Sequence, residues 1–493
     1  MNYSPIYDYY DISYTPLIKS IETKIDYNNY TGIDMCGNAV SLFFKSIPLV
    51  DYVKLMIGKY KSSELCVLPH KNAKTSNKYE TYINSIHNYA YVDSFFYYIS
   101  NEIADFIHTI KLYDSVIKIQ ENCEINMVDD LDYISDSSFF KNNINKLFYF
   151  KDTDIGHVLG FTRPPITITD EDVVIESETL DDVPFNDVSM GELELLEDFE
   201  SDEDEDSDED DDSDEDSDDD SDDDSDDDSD DDEEDDETNS DDELIIVFNK
   251  LPTQNIFLER CENTLDHLLN NNISVNELTS ALFQCIVTLD VYQHVLDFTH
   301  NDLHTNNIMY SNTKLEYLYY KIKGKVYKVP TYGKIYKIID FGRSIYTYKN
   351  TRICSDSFSS NGTAYGQYNC EPFFNKNKPR IEPNKSFDLC RLACSLIDYL
   401  TDNNEDIEKY QLIPTYRMVI EWLNDDNNVS VLYKSNGEER YEGFKLYKMI
   451  ARTVHHHIPE GQYENECFNE YIYCDTEAQN IIDIDHIKTQ VIQ

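Results

Sequence analysis

Residues 300–307 read His-Asn-Asp-Leu-His-Thr-Asn-Asn, and residues 338–342 read Ile-Ile-Asp-Phe-Gly. Asp302, Asn307 and Asp340 offer the oxygen donors that a hard cation such as magnesium prefers. A phosphoryl group in transit asks little covalent chemistry of a protein. It needs metal ions held against its oxygens and an acceptor hydroxyl aimed in line. In such chemistry Asp302 orients the hydroxyl and takes its proton, Asn307 returns to the metal from the same loop, and Asp340 supplies an anionic ligand. Phe341 is expected to pack beneath the turn, and Gly342, lacking a Cβ, to let the chain bend. Asp-Phe-Gly alone says little; the two motifs in this order, each after an apolar run, are far more specific.

The flanking segments must position these loops. Ser274-Val275-Asn276-Glu277 is a capping box, and Leu278, Leu282, Ile286, Leu289 and Val295 follow at helical spacing, so a helix is predicted to end near Phe298. Upstream, Asn255-Ile256-Phe257-Leu258 reads as a short apolar strand running into Glu259-Arg260-Cys261, with a short helix over 262–269. Residues 318–322 and 326–329 alternate around Lys323-Gly324-Lys325 and predict a hairpin that extends a small sheet below the site.

With Val329-Pro330-Thr331-Tyr332-Gly333 before Asp340, Gly366-Gln367-Tyr368-Asn369-Cys370-Glu371-Pro372-Phe373 after it, and the second histidine His304, the stretch from Leu244 to about Thr476 resembles the C-terminal part of a eukaryotic-type protein kinase. The likeness is to haspin-like kinases and to the serine/threonine kinases ascribed to giant DNA viruses. It implies an α+β, two-lobed protein-kinase-like fold, with a small antiparallel-sheet N-lobe and a mostly helical C-lobe. It also implies ATP and Mg2+ as cofactors and transfer of the γ-phosphate to serine or threonine hydroxyls of a protein. Glu259 and Cys261 then lie in a hinge whose backbone binds the adenine edge, and Asn307 and Asp340 hold the metal. His304 takes the place of a lysine that in most protein kinases touches the transferred phosphate. Histidine there also occurs in choline-kinase-like and aminoglycoside-phosphotransferase-like enzymes, so a small-molecule kinase stays open, as does a pseudokinase that only binds partners.

The 29 positions from Gly342 to Glu371 suit a protein-kinase activation segment. Cys370-Glu371-Pro372 departs from the family's Ala-Pro-Glu order, leaving Glu371 as the candidate buried ion-pair partner. Asp388, in Ser386-Phe387-Asp388-Leu389, resembles the aspartate that ties the catalytic loop to the core, a burial that requires backbone donors. Asn301 stands where many kinases carry an arginine that pairs with a phosphorylated loop. Activity independent of phosphorylation at Thr347, Thr351 and Thr363 is therefore expected.

The N-terminal half offers fewer signals. Val40-Ser41-Leu42-Phe43-Phe44-Lys45 reads as a strand ending in a cation, and Phe43-Phe44-Lys45-Ser46-Ile47-Pro48-Leu49 is similar to a phrase of giant-virus kinases. Lys45 is the candidate for the ATP phosphates, with Lys54 as runner-up and a solvated surface lysine as the plain alternative. A helix over 91–102 presents two acids to hold that lysine, Asp93 and Glu102, and the sequence does not choose between them. Gly32 and Gly37 do not form a glycine-rich phosphate motif and read as a plain turn. These signals divide the chain into an N-terminal extension (1–30), a divergent N-lobe (31–258) with an acidic insertion at about 192–243, a C-lobe (259–476) and a tail (477–493).

Between 201 and 243 lie 33 acidic residues and no basic ones, in a Ser-Asp-Asp-Asp repeat. Such a run repels itself and cannot bury apolar area, which predicts disorder. It reads either as a solvated insertion or as a docking arm for basic protein substrates. Without it the net charge of -58 falls to about -25, still acidic, which argues against nucleic-acid binding through a basic face. Eleven cysteines without C-x-x-C spacing suit reduced thiols in an intracellular compartment, cytoplasmic or nuclear. The viral resemblance adds the host cell or the virion. Residues 1–20 show no secretory pattern, and no window is apolar enough to span a bilayer. Cys390 and Cys394 read as packed core residues, and His455-His456-His457 as a partly exposed cluster rather than a ligand set.

Overall fold

In the computed structural model the described residues are 3–61, 64–73, 77–127, 134, 137–151, 244–400, 410–434, 438–474, 480–490 and 492. The acidic tract lies outside them. Three strands, β1 (Ile18–Lys24), β2 (Asn29–Asp34) and β3 (Ala39–Pro48), form an antiparallel meander. Period-two alternation on β3 sends Leu42 and Phe44 to one face and Lys45 to the other. Phe44, Tyr30 and Phe257 pack edge to face or tilted at 5.1–5.9 Å between ring centroids. Then follow β4 (Leu112–Asn126), β5 (Phe148–Phe150) and β6 (Ile245–Glu259). The resulting curled antiparallel sheet runs β1-β2-β3-β6-β4, with β5 also paired to β6.

The short strand expected at 255–258 is thus the last third of a 15-residue strand. Asn249 and Lys250 interrupt its apolar pattern, but β4 is equally long and pairs along its length. Because β1 opens at Ile18, the boundary set at residue 31 falls inside β2, and the second half of the 1–30 extension already contributes strands to the sheet. Gly32 sits within β2, where a Cβ would stand 2.7 Å from the Ser20 carbonyl oxygen, and Gly37 turns the chain into β3 at φ +89. The two glycines therefore serve a strand and a turn.

Five helices bear on the site: α1 (Tyr89–Ser100), α2 (Leu265–Asn270), α3 (Val275–Leu296), α4 (Phe387–Leu400) and α5 (Phe444–Thr453). Asn88 caps α1, its side chain accepting from the Ala90 N–H. Ser274 caps α3 through the Glu277 N–H, while the Glu277 carboxylate binds Lys334 at 2.6 Å. The helix runs to Leu296, and Asp297 ends it in the left-handed region at φ 49. Most of α3 is buried, which makes it the spine of the helical part.

Next come β7 (Asn263–Thr264), β8 (Ile308–Asn312), β9 (Tyr317–Ile322), β10 (Lys325–Pro330) and β11 (Lys334–Ile338). β9 and β10 form the expected hairpin but do not extend the β11-β8-β7 sheet. Tyr320 and Tyr327 pack on Phe283 of α3, and the hairpin's edges pair instead with β14 (Ile472–Tyr473) and β15 (Ile482–Asp483). Between them in sequence, β12 (Ile345–Tyr348) and β13 (Thr351–Cys354) form a separate hairpin carrying Thr347 and Thr351. The tail predicted at 477–493 is tied down in its described part: Ile484 and Ile487 are buried, and Lys488 meets the buried Asp290 at 2.6 Å. Cys390 and Cys394 are buried in α4, and no disulfide joins the cysteines. Among the described residues, no helix is long and apolar enough to cross a membrane.

Candidate active site

The first half of the site is closed by charge. Lys45 Nζ lies 3.0 Å from Asp93 Oδ2 and 2.8 Å from Asp340 Oδ1, joining β3, α1 and the Asp-Phe-Gly turn. Asp93 Oδ1 also accepts from the Phe341 N–H at 2.6 Å, and one turn further along α1 the Tyr97 hydroxyl accepts from the Asp340 N–H at 3.1 Å. Asp93 is therefore the acid that meets Lys45. Glu102 lies exposed beyond the end of α1. Lys54 is occupied elsewhere, with Asp51 and the Asn361 carbonyl. Burial opposes the charge on Lys45, but Asp340 and Asp93 outweigh it and hold the ammonium well above its usual range. The Lys45 ammonium in turn pulls the Asp340 carboxyl down to about 2. Burial pushes the Asp93 carboxyl upward, with Lys45 pulling the other way.

Phe341 packs as expected, 4.2 Å from Phe96 and 4.9 Å from Tyr97 between ring centroids. The bend itself is made differently. Asp340 adopts the left-handed conformation at φ 63, whereas at Gly342 a Cβ would meet its neighbours at 3.8–3.9 Å, an ordinary contact. The special backbone thus falls on the charged residue, held by Lys45 and Tyr97.

The second half is closed by neutral donors on backbone and amide groups. The buried Asp388 carboxylate, on α4, accepts from the N–H groups of His300 and Asn301, each at 2.9 Å. His300 Nε2 lies 2.8 Å from the Ile339 carbonyl oxygen, and the Ile339 N–H donates to the Asn307 carbonyl at 3.0 Å, stitching the two motif loops together. Asn301, at φ 67, fills the place of an arginine with an internal network. Its amide donates to the Arg343 carbonyl at 3.0 Å, and its Oδ1 accepts from the Tyr368 hydroxyl at 2.8 Å. The 343–386 segment is thereby pinned to the loop.

Asn307 Nδ2 donates to the Asp302 carbonyl at 2.9 Å and to His304 Nε2 at 3.0 Å. Both amide hydrogens are thus used, and Oδ1 has no partner among the described residues. His304, expected to face a transferred phosphate, is turned to Asn307. Burial lowers its pKa and keeps the imidazole neutral, as an acceptor must be. Asp302 Oδ1 accepts from the Tyr447 hydroxyl at 3.1 Å and lies 3.5 Å from Arg343 Nη1. Its Oδ2 has no partner among the described residues.

At the end of β6, the Glu259 N–H donates to the Lys111 carbonyl at 2.8 Å, and its carboxylate is clasped by Lys337 with both oxygens at 2.7 Å. That N–H is therefore not open to a ligand. Cys261 is buried, its thiol 3.8 Å from Ser311 Oγ, and its backbone N–H and C=O are bonded to no described residue. Glu371, expected as a buried partner, is exposed and pairs with Arg380 at 2.5 Å. The donor set fits a hard divalent cation: among the described residues, Asp340 Oδ2 and Asn307 Oδ1 have no protein partner. Among the described residues, no group of three or more His, Cys, Asp or Glu side chains is placed to hold a metal ion by itself.

Tyr97, Tyr447, Arg343 and Arg391 were not marked by the sequence. Tyr97 carried a signal, being four residues after Asp93 on the same helix face. Tyr447 carried none, 145 residues beyond Asp302 and in no motif.

No protein-family model matches the chain. Over 101 residues, 20% of the chain, it is 33% identical to serine/threonine-protein kinase haspin of Mus musculus, covering 12% of that protein. It is 34% identical over 77 residues to haspin of Bos taurus, which is 16% of the chain and 10% of the relative. Over 197 residues, 38% of the chain, it is 28% identical to a protein of Acanthamoeba polyphaga mimivirus that bears a provisional serine/threonine-protein kinase name, covering 47% of it. The chain thus spans less than half the length of each of these relatives, and over part of its own length it is similar to serine/threonine protein kinases.

Proposed function

We infer that the chain is an ATP- and magnesium-dependent serine/threonine protein kinase, with a smaller lobe built on the curled sheet and α1 and a larger one from about residue 259. The observation that carries this reading is Lys45 bridging Asp93 and Asp340 across 48 and 295 residues of sequence. A strand lysine paired with a helix acid and set beside the Asp-Phe-Gly aspartate is the arrangement kinases use to hold nucleotide phosphates, here with aspartate in place of glutamate. Magnesium, when bound, neutralises the oxygens of the transferred group. Asp340 Oδ2 and Asn307 Oδ1 would hold it, Lys45 would take the inner phosphates, and the backbone of Cys261 would meet the base. Asp302 would present Oδ2 to the acceptor hydroxyl and receive its proton. A protein acceptor is favoured by the folded 343–386 segment, held through Asn301, Tyr368 and Asn369, which offers a long platform beside Asp302.

Phosphate transfer from labelled ATP, with Asp302→Asn as the matched control, tests the reading. Loss of about two or more decades of rate in the variant is expected. Equal labelling by both proteins refutes it, and transfer to amino alcohols but not to protein or peptide acceptors moves the reading to a small-molecule kinase.

A further inference from the structure

Helix α5 lies outside every motif of the site, yet it delivers a hydroxyl to the proton-accepting carboxylate. Tyr447 donates to Asp302 Oδ1 at 3.1 Å, and its own oxygen accepts from Arg391 Nε of α4 at 2.9 Å. The Arg391 guanidinium also lies over the Tyr447 ring at 5.1 Å, and Phe444 stacks on the same ring at 5.3 Å. The phenol is thus fixed by packing on two sides and by a cation at its oxygen. Burial raises its pKa, so it remains a donor toward the carboxylate. Arg343 approaches the same Oδ1 at 3.5 Å. Among the described residues, no hydroxyl of the 343–386 segment bonds to Asp302.

We propose that Tyr447 is a positioning residue for Asp302, holding Oδ1 through an Arg391–Tyr447–Asp302 relay so that Oδ2 is presented to the acceptor hydroxyl. The proposal rests on the phosphotransferase reading. A carboxylate free to rotate would divide its time between productive and unproductive orientations, whereas one held at a single oxygen has already lost that freedom before the acceptor arrives. Because Oδ1 touches neither Lys45 nor Asp340, the relay bears on the transfer step and leaves nucleotide binding alone.

The test uses the full chain, with MgATP and a protein acceptor. Tyr447→Phe keeps the ring on Arg391 and Phe444 and deletes the hydroxyl. The expected result is a fall in kcat of roughly 10- to 100-fold, the range for losing one hydrogen bond to a charged group, with KM for MgATP changed by less than about twofold and Tm lowered by no more than a few degrees. Arg391→Gln should slow the wild type but add nothing in the Tyr447→Phe background, because a relay is lost once. A kcat within about threefold of wild type overturns the proposal, as does additivity of the two substitutions or a fall in kcat matched by weaker MgATP binding. A rise in kcat also overturns it, since the hydroxyl would then be competing with the acceptor. Asp302→Asn keeps the two claims apart: if it transfers phosphate like wild type, the phosphotransferase reading fails, and if it is inactive while Tyr447→Phe is fully active, the relay alone fails.

Discussion

The two halves of the site are held by opposite physics. Around Lys45 a cation and two carboxylates from three separate elements meet, and the single ammonium offsets both carboxylates, the buried Asp93 above all. Around His300–Asn307 one buried carboxylate, Asp388, collects backbone N–H groups, and apart from Asp302, which meets Tyr447 and Arg343, the remaining bonds run between uncharged amide, imidazole, hydroxyl and backbone groups. The charged half fails when one partner is removed, because a bare charge is left behind. The neutral half loses its bonds one at a time, each at the smaller cost of an unmade hydrogen bond.

The contrast breaks most sharply at Lys45. Lys45→Met strands the buried Asp93 and should cost roughly 3–5 kcal/mol in urea unfolding. Adding Asp93→Asn should recover a substantial part of it; no recovery would mean that packing, not charge, holds that half together. Asp388→Asn keeps one acceptor oxygen but turns an amide donor toward an N–H, for about 2–3 kcal/mol by the same measurement.

Asp356 lies between the halves, in the 343–386 segment, and accepts from the Tyr89 N–H at the start of α1 at 3.1 Å. Burial pushes its carboxyl up to about 7. The folded state therefore binds this proton more readily than the unfolded one, so stability falls as pH rises from about 4 through about 7 and is level beyond. Asp356→Asn, which keeps the acceptor, should raise stability by up to about 4 kcal/mol at pH 8 and leave it unchanged at pH 4. A gain of equal size at both pH values would refute this account. The smallest effect belongs to Gly342→Ala, expected to move the unfolding midpoint by no more than about 0.5 kcal/mol, because the left-handed residue of the turn is Asp340.

The same contrast explains what the sequence disclosed. The neutral half is written in eight consecutive residues plus Asp388, so its members can be nominated from motifs, although its bonds to Arg343, Tyr368 and Asp388 span 42 to 88 positions. The charged half joins residues 48 and 295 positions apart, so strand periodicity could nominate Lys45 but could not choose between Asp93 and Glu102. That choice needed the end of α1 at Ser100, which leaves Glu102 outside the helix. Glu371 and the bend at Gly342 were misread because family position stood in for burial and dihedral angle, neither of which a motif encodes. Tyr447 was out of reach altogether, since nothing local marks a residue whose partner arrives through tertiary packing.

β5 ends at Phe150 and β6 opens at Ile245, yet Phe150 pairs with Ile246, and the Lys151 N–H donates to the Ile245 carbonyl at 2.9 Å. The last residue of β5 and the first residues of β6 therefore lie one hydrogen bond apart in the sheet, and the register of the two strands is set by their own pairing.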